Sequence, residues 1–374
     1  MSPRNKYLTQ PPLDDSYAKK FTLTHQNVPV AAMTSGPGQK AVGEQDGDRL
    51  NQDAYLMEHL NPKVLIAWDE VFAETNNTVL ESLVAHDQTH NDVGLDLDSG
   101  CTALVAHIQN NKLVLANAGD CTAKLVYKTG DTYQVLALTQ AHRPSTLCEQ
   151  TRIQNLRNSP LRISQPQNND DPRMCLNERN AKCNNGLSIT RGFGAEEYVP
   201  AFSCIPEVTT IDLNKYGNIS VAFLVTASDG FADYVNDEEL TDFFNLSDRS
   251  SLEGSAENLR KKAYLEKISH DNITVGVHRL HPGLCVGVFD GFGHWGKIAA
   301  DRAALHLQTI MQRKNLQTEI AQLVMSGTFA LIQAAERLKI KLIKTLETHY
   351  AQPMADPHQH AAMQLACDAQ AMLA

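Results

Sequence analysis

Five aspartates stand where apolar, strand-like runs give way to turns: Asp53 in RLNQDAYL, Asp120 in LANAGDCTA, Asp229 in LVTASDGF, Asp271 in SHDNITV and Asp290 in VGVFDGFG. A strand end that delivers an aspartate into a Gly- or Asn-containing turn places a carboxylate at the rim of a sheet. Several together make an oxygen-donor site for a hard cation such as Mg2+ or Mn2+. Taken singly, each is more often a turn former bonded to local backbone amides. As a set they favour a cation. A calcium loop fails on spacing, because Leu50, Asn51 and Met57 stand where a loop opening at Asp46 and Asp48 needs a ligand, a glycine and a glutamate. No P-loop, zinc motif or G-x-S-x-G elbow is present.

The elements that must position these carboxylates are mostly short strands. The runs PVAAM, AYLM, KVLIAW, CTALVAHI, KLVLANAG, TAKLVYK, TYQVLALT, ISVAFLVTAS, NITVGVHRL and LCVGVFD are apolar, β-branched or alternating. Turn signals such as Asn110-Asn111 and Gly130-Asp131 separate many of them. This spacing predicts a β-sandwich with added helices rather than a doubly wound parallel sheet. Helical periodicity marks Glu70 to His86, Asp237 to Phe244 and Ser255 to Lys267, and predicts two long helices between Lys297 and His349, with a break near Asn315 or Ser326-Gly327. From Arg143 to Gly186 the pattern gives way to Pro, Asn, Asp and Arg, as in a long surface excursion. Residues 1–20 and the tail 351–374 read as poorly ordered.

The chain has 374 residues, 33 Lys plus Arg against 43 Asp plus Glu, and a formal net charge of −10. That balance opposes an electrostatic hold on nucleic acid or an anionic membrane and suits cation binding. No apolar stretch is long enough to span a bilayer and the N-terminus lacks a secretory h-region, so the expected compartment is the cytoplasm. Eight cysteines show no CxxC; Cys101, Cys121, Cys204 and Cys285 lie in strand-like runs and read as reduced, buried thiols.

Asp53 in RLNQDA, the run SGCTALVAHIQNNKLVLANAGDCTAKLV, LTQAHRP, LSITRGFGA, LVTASDGFADYV, DNITVGV and VGVFDGFGHWG together resemble the successive motifs of the metal-dependent protein phosphatases (PPM, type 2C). The resemblance runs from about Ala31 to Leu307. It implies an α+β fold: a PPM-type β-sandwich of two mainly antiparallel sheets flanked by helices, in αββα layers. Residues 21–350 would form one such domain, with a flap at about 143–190 and a strand-helix segment at about 283–349. It also implies a Mg2+ or Mn2+ centre of two ions. Asp53, Asp290 and the Gly291 carbonyl would hold one; Asp290, Asp229 and Asp271 would hold the other, with Asp290 bridging. Asp120 and Asp233 match the pair that supports a weaker third ion. The implied activity is hydrolysis of phosphoserine and phosphothreonine in phosphoproteins by a metal-activated water.

The chain departs from that pattern in several places. VGVFDGFG follows DNITV instead of preceding it, which implies a circular permutation; the short join between His278 and Gly283 predicts that these two strands are neighbours. Asp69, after KVLIAW, is a rival for the bridging position, but Asp290 carries the Gly-x-Gly that lets backbone approach an ion. Phe292 stands where the family has a histidine regarded as the leaving-group acid, with His294 two residues on. Arg49, the candidate phosphate ligand, lies four residues before Asp53 rather than five. In the flap, Arg143, Arg152, Arg157, Arg162, Arg173 and Arg179 are candidate phosphopeptide contacts or ordinary surface charge; His142 and Arg191 read as structural. Two alternatives to a phosphoprotein phosphatase stay open: a pseudophosphatase acting as an interaction protein, and a phosphatase for a small phosphoester.

Overall fold

The structure, a computed structural model, describes residues 18–38, 51–90, 98–156, 161–164, 172–176, 186–246, 251–326 and 338–344. In chain order its first strands are β1 (Lys19–His25), β2 (Val28–Gly36), β3 (Ala54–His59), β4 (Gly100–Cys101), β5 (Ala103–Gln109), β6 (Lys112–Ala118), β7 (Thr122–Thr129) and β8 (Thr132–Ala137). Then follow β9 (Leu161–Ile163), β10 (Met174–Leu176), β11 (Phe193–Gly194), β12 (Glu207–Asp212), β13 (Phe223–Ala227), β14 (Ile273–Arg279), β15 (Leu284–Phe289) and β16 (Gly291–Phe292). The helices are α1 (Trp68–His90), α2 (Leu147–Gln154), α3 (Asp229–Ala232), α4 (Asp237–Leu246), α5 (Leu252–Lys261) and α6 (Gly296–Ser326).

Two antiparallel sheets carry the fold, one of six strands in the order β1-β2-β14-β13-β7-β8 and one of five in the order β12-β6-β5-β15-β3. Period-2 alternation assigns their faces. In β5, Leu104, Ala106 and Ile108 enter the core between the sheets with Met33, Leu125, Leu224 and Val286. Ala103 and Val105, on its other face, meet Val71, Phe72, Val79 and Leu83 of α1 and the small-residue face Ala299, Ala300, Ala303 of α6. Leu240 and Phe244 of α4 and Ala256 and Leu259 of α5 cover the six-stranded sheet against Val225, Val275 and Val277. The layers are therefore helix, sheet, sheet, helix. Asn110 and Asn111 adopt φ of 47° and 62° between β5 and β6, the left-handed pair that a two-residue I′ hairpin requires.

Several sequence expectations need correction. KVLIAW is not a strand: residues 64–67 have no regular structure, and Asp69 is exposed in the first turn of α1. β14 and β15 are not neighbours but belong to opposite sheets, because Gly283, at φ +88°, turns the chain across the sandwich, donating to the Ile108 carbonyl and accepting from the Leu60 amide. β15 instead pairs with β3 on one side and β5 on the other. The edge strands β1 and β12 lacked a sequence signal strong enough to be read, and β1 begins inside the stretch expected to be disordered. α6 runs without a break through Asn315. The excursion after Arg143 is not featureless, since α2 and the β9–β10 pair frame an apolar cluster of Ile153, Met174, Ile189, Tyr198 and Phe202. Cys101, Cys121, Cys204 and Cys285 are free thiols, whereas Cys175 is disulfide-bonded.

The chain divides into two compact units, Met1–Met311 and Gln312–Ala374. The first holds both sheets. In the second, Lys341 pairs with Glu319 at 2.8 Å. Among the described residues no helix is long and apolar enough to cross a membrane.

Candidate metal centre

Asp53 immediately precedes β3, Asp290 immediately follows β15, Asp229 opens α3 after β13, and Asp271 lies just before β14. Both sheets thus deliver carboxylates to one end of the sandwich, beside a cavity of ≈ 420 Å³ lined by Asp120, Asp229, Asp271, Asp290 and Gly291. A side chain at Gly291 is impossible without rearrangement, because its Cβ would lie 2.4 Å from the Gly296 carbonyl oxygen and 2.8 Å from that of Gln52.

A hydrogen-bond web fixes these turns. Thr102 accepts from the Asp290 amide at 3.1 Å and donates its own amide to the Asp290 carbonyl at 2.8 Å. The Ser228 hydroxyl donates to Asp53 Oδ2 at 3.1 Å and accepts from the Thr274 amide at 3.0 Å. Asn272 Oδ1 accepts from the Gln52 amide at 2.7 Å, tying β3 to β14.

The carboxylates nonetheless face each other. Burial, followed by the charges of Asp53 and Asp229, pushes Asp290 well above the usual carboxylate range. Burial and then Asp120 and Asp271 do the same to Asp229. Asp53 is pushed up to about 6, chiefly by burial, with Asp271 adding to it. Among the described residues, Asp53 Oδ1 and Asp229 Oδ1 are buried without a hydrogen-bond donor. A buried acceptor left bare is costly, and crowded carboxylates with empty lone pairs have the oxygen-donor chemistry that a hard divalent cation satisfies. The residues fit Mg2+ or Mn2+.

Asp120 and Asp233 are placed differently. Arg143 lies between them, its Nη2 2.8 Å from Asp120 Oδ2, 2.8 Å from Asp233 Oδ2 and 3.8 Å from Asp229 Oδ2. Burial works against the charge of this guanidinium, but Asp120 and Asp233 more than offset it and push it above its ordinary value. His142 is buried, accepts from the Gly119 amide at Nδ1 and faces Glu207 at 3.1 Å, a structural role that supports the Asp120 turn. Arg152 and Arg191 both bind the buried Glu149, at 2.8 and 2.6 Å. Of the flap arginines with described side chains, Arg173 alone lines the cavity, with Nη1 on the Gly186 carbonyl at 2.8 Å. Arg49, Arg157, Arg179 and the Arg162 side chain lie outside the described residues.

Phe292 lines the cavity and packs against Phe202 with ring centroids 6.0 Å apart. His294 is exposed, rests on Trp295 and is not among the cavity-lining residues. Sequence reasoning missed Gln52, Asp98, Ser188 and Tyr198 on the cavity wall. Only Asp98, in DLDSG, carried an acidic turn signal of the kind used to find the others.

The family model for protein phosphatase 2C matches residues 43–273, a span that ends before β15. A protein kinase and PP2C-like domain-containing protein of Arabidopsis thaliana is 29% identical over 224 residues, 58% of this chain and 29% of that protein. A probable protein phosphatase 2C 56 of Oryza sativa subsp. japonica is 25% identical over 288 residues, 73% of this chain and 68% of the relative. The chain thus spans under a third of the kinase-containing relative. Among solved structures, serine-threonine phosphatase 2C from Toxoplasma gondii aligns over 73% of this chain and 98% of its own at 15% identity, with a TM-score of 0.48.

Proposed function

We propose that this chain, which belongs to the protein phosphatase 2C family, is a metal-dependent serine/threonine phosphoprotein phosphatase. The observation that carries the proposal is the Asp290 carboxyl set among Asp53, Asp229 and Asp271, with two bare, buried carboxylate oxygens beside an open cavity. Asp53, Asp290 and the Gly291 carbonyl would hold one divalent ion, and Asp290, Asp229 and Asp271 a second. When bound, Mg2+ or Mn2+ supplies positive charge to the phosphoryl oxygens and makes water acidic enough to attack near neutral pH.

The chain's own side chains supply the rest. Thr102, Ser228 and Asn272 hold the ligand turns in register, so little reorganisation accompanies substrate binding. Arg173 lines the cavity and has guanidinium N–H groups beyond the one given to Gly186, which would be the donors for a substrate phosphate there. Arg143 already provides a cation at Asp120 and Asp233, so a third metal there would have to displace it; our reading keeps two ions. The position of β15 between β3 and β5, although it follows β14 in the chain, supports reading the order as a circular permutation of the family pattern.

The second reading, a pseudophosphatase, is favoured by Phe292: among the described cavity-lining residues there is no histidine to protonate a leaving group. Phosphate release from a phosphothreonine peptide and from an aryl phosphate, each with Mn2+ or with chelator, separates the readings. A phosphatase releases phosphate from both only with Mn2+. A chain that binds Mn2+ yet hydrolyses neither is the pseudophosphatase. Aryl phosphate hydrolysis alone points to a small phosphoester.

A further inference from the structure

At the other end of the same strands, three histidines converge. His25 closes β1, His59 closes β3, and His281 lies in the join between β14 and β15. β3 runs from beside Asp53 to His59, and β15 from just after His281 to Asp290, so a six-residue strand separates the two clusters by about 20 Å. One nitrogen from each imidazole lies within 4.8 Å of the others, and all three residues are half-buried.

The ring arrangement is compact. The His25 and His59 rings stack at 3.9 Å, and His281 stands 4.7 Å from the first and 5.1 Å from the second, tilted by 50° and 56°. His59 Nε2 is 3.2 Å from His281 Nδ1, which is itself 2.9 Å from the Pro282 carbonyl oxygen. A carbonyl only accepts, so in this contact His281 Nδ1 donates, and in the neutral ring Nε2 is then the nitrogen left to bind a metal. A ring N–H given to a backbone carbonyl is the arrangement that orients metal-binding histidines.

The backbone beneath each ring is fixed. His25 flanks a two-residue hairpin whose Gln26 and Asn27 adopt φ of 49° and 63°. His59 pairs with Leu284, and the next residue's amide donates to the Gly283 carbonyl at 2.7 Å. The Leu284 amide donates in turn to the His281 carbonyl at 3.0 Å.

We propose that His25, His59 and His281 form a second metal site, for a borderline transition ion of the Zn2+ type, which clamps edge strand β1 of one sheet to edge strand β3 of the other. Three imidazole nitrogens and one open position match the donor set that Zn2+ accepts and that Mg2+ and Mn2+ do not prefer. Ligands ~2.0–2.1 Å from one ion sit about 3.3 Å apart, so the cluster must close slightly from its present spread; the broad χ2 of histidine allows this without moving the strands. The site is separate from the carboxylate centre and independent of the proposed phosphatase activity.

The test uses the full, tag-free chain in excess Mg2+, which occupies the carboxylates with a hard ion. Calorimetric titration with Zn2+ is expected to give one site, weakened more than ~100-fold in His59→Ala and in His281→Ala, beyond the loss typical of a supporting partner. The same site is expected to persist in Asp290→Asn. Wild-type affinity in both histidine variants, or loss of the site in Asp290→Asn, overturns the proposal. If either histidine variant misfolds by circular dichroism, the wild type decides: Zn2+ is expected to protect His25, His59 and His281 together from acylation by diethyl pyrocarbonate, mapped by peptide mass. Equal modification with and without Zn2+ overturns it.

Discussion

Single side chains divide here into those that crowd charge together and those that neutralise it. Asp229 and Asp271 belong to the first group, and Asp229→Asn and Asp271→Asn are each expected to reduce Mn2+-dependent phosphate release by at least ~10²-fold without changing the circular dichroism spectrum. Asp229→Asn should also raise the melting temperature of the chelated protein, because it removes a carboxyl whose ionised form is opposed by burial and then by Asp120 and Asp271. Glu149 belongs to the second group. Burial would raise its pKa, but hydrogen bonds from Arg191, Arg152 and Thr190 outweigh that and hold it at about 2, against 4.5 when free. A carboxylate depressed in the folded state stabilises the fold above the unfolded pKa, and that contribution fades as pH falls from 4.5 towards 2. Glu149→Ala is therefore expected to cost about 3 kcal/mol at pH 7, with the gap to wild type in urea unfolding narrowing below pH 4.5. Phe292 tests the missing acid. His294 is exposed on Trp295, away from the cavity wall, so Phe292→His is expected to raise phosphopeptide turnover more than aryl phosphate turnover; a positioned acid is worth ~10²–10⁴-fold. Equal changes on the two substrates would show that Phe292 only packs against Phe202.

Among the elements, β15 matters most, because it is an interior strand with β3 on one side and β5 on the other and it ends at Asp290. A chain stopped after Leu280 loses that strand and the α6 face that covers the sheet, and is expected to be insoluble, leaving two unpaired strand edges. Full solubility and activity of that truncation would remove Asp290 from the reaction. The sequence displayed β15 and most interior strands well, because a strand buried on both faces is a dense apolar run, as in LCVGVF. Edge strands such as β1, KKFTLTH, alternate weakly and escaped notice. KVLIAW had the composition of a strand, but Val64 and Trp68 are buried while Leu65 is 80% exposed, and among the described residues no partner strand claims it. The carboxylate set was legible because each member sits at a strand end beside a turn residue. The bridging role of Arg143 was not, since nothing local in LTQAHRP reveals that its partners are Asp120 and Asp233. The three histidines escaped for the same reason: they are far apart in sequence and meet only when β1 and β3 close the two sheet edges.

Taken as a molecule, the sandwich has a charged, under-coordinated rim at one end, and its stability should respond to the ion that completes it. An ion that binds the folded chain alone stabilises it by about 2.7 kcal/mol at a hundredfold excess over Kd, so Mn2+ is expected to raise the melting temperature in wild type and much less in Asp290→Asn. The claim that everything else depends on is that Asp290, delivered by a late strand into the middle of a sheet, joins Asp53, Asp229 and Asp271 around two ions. Anomalous scattering from crystals soaked in Mn2+ measures this directly. The expected map has two strong peaks, both within ligand distance of the Asp290 carboxylate, one shared with Asp53 and the Gly291 carbonyl and the other with Asp229 and Asp271. Peaks that avoid Asp290, or none at this end of the sandwich in a crystal that accepts Mn2+ elsewhere, would contradict the account.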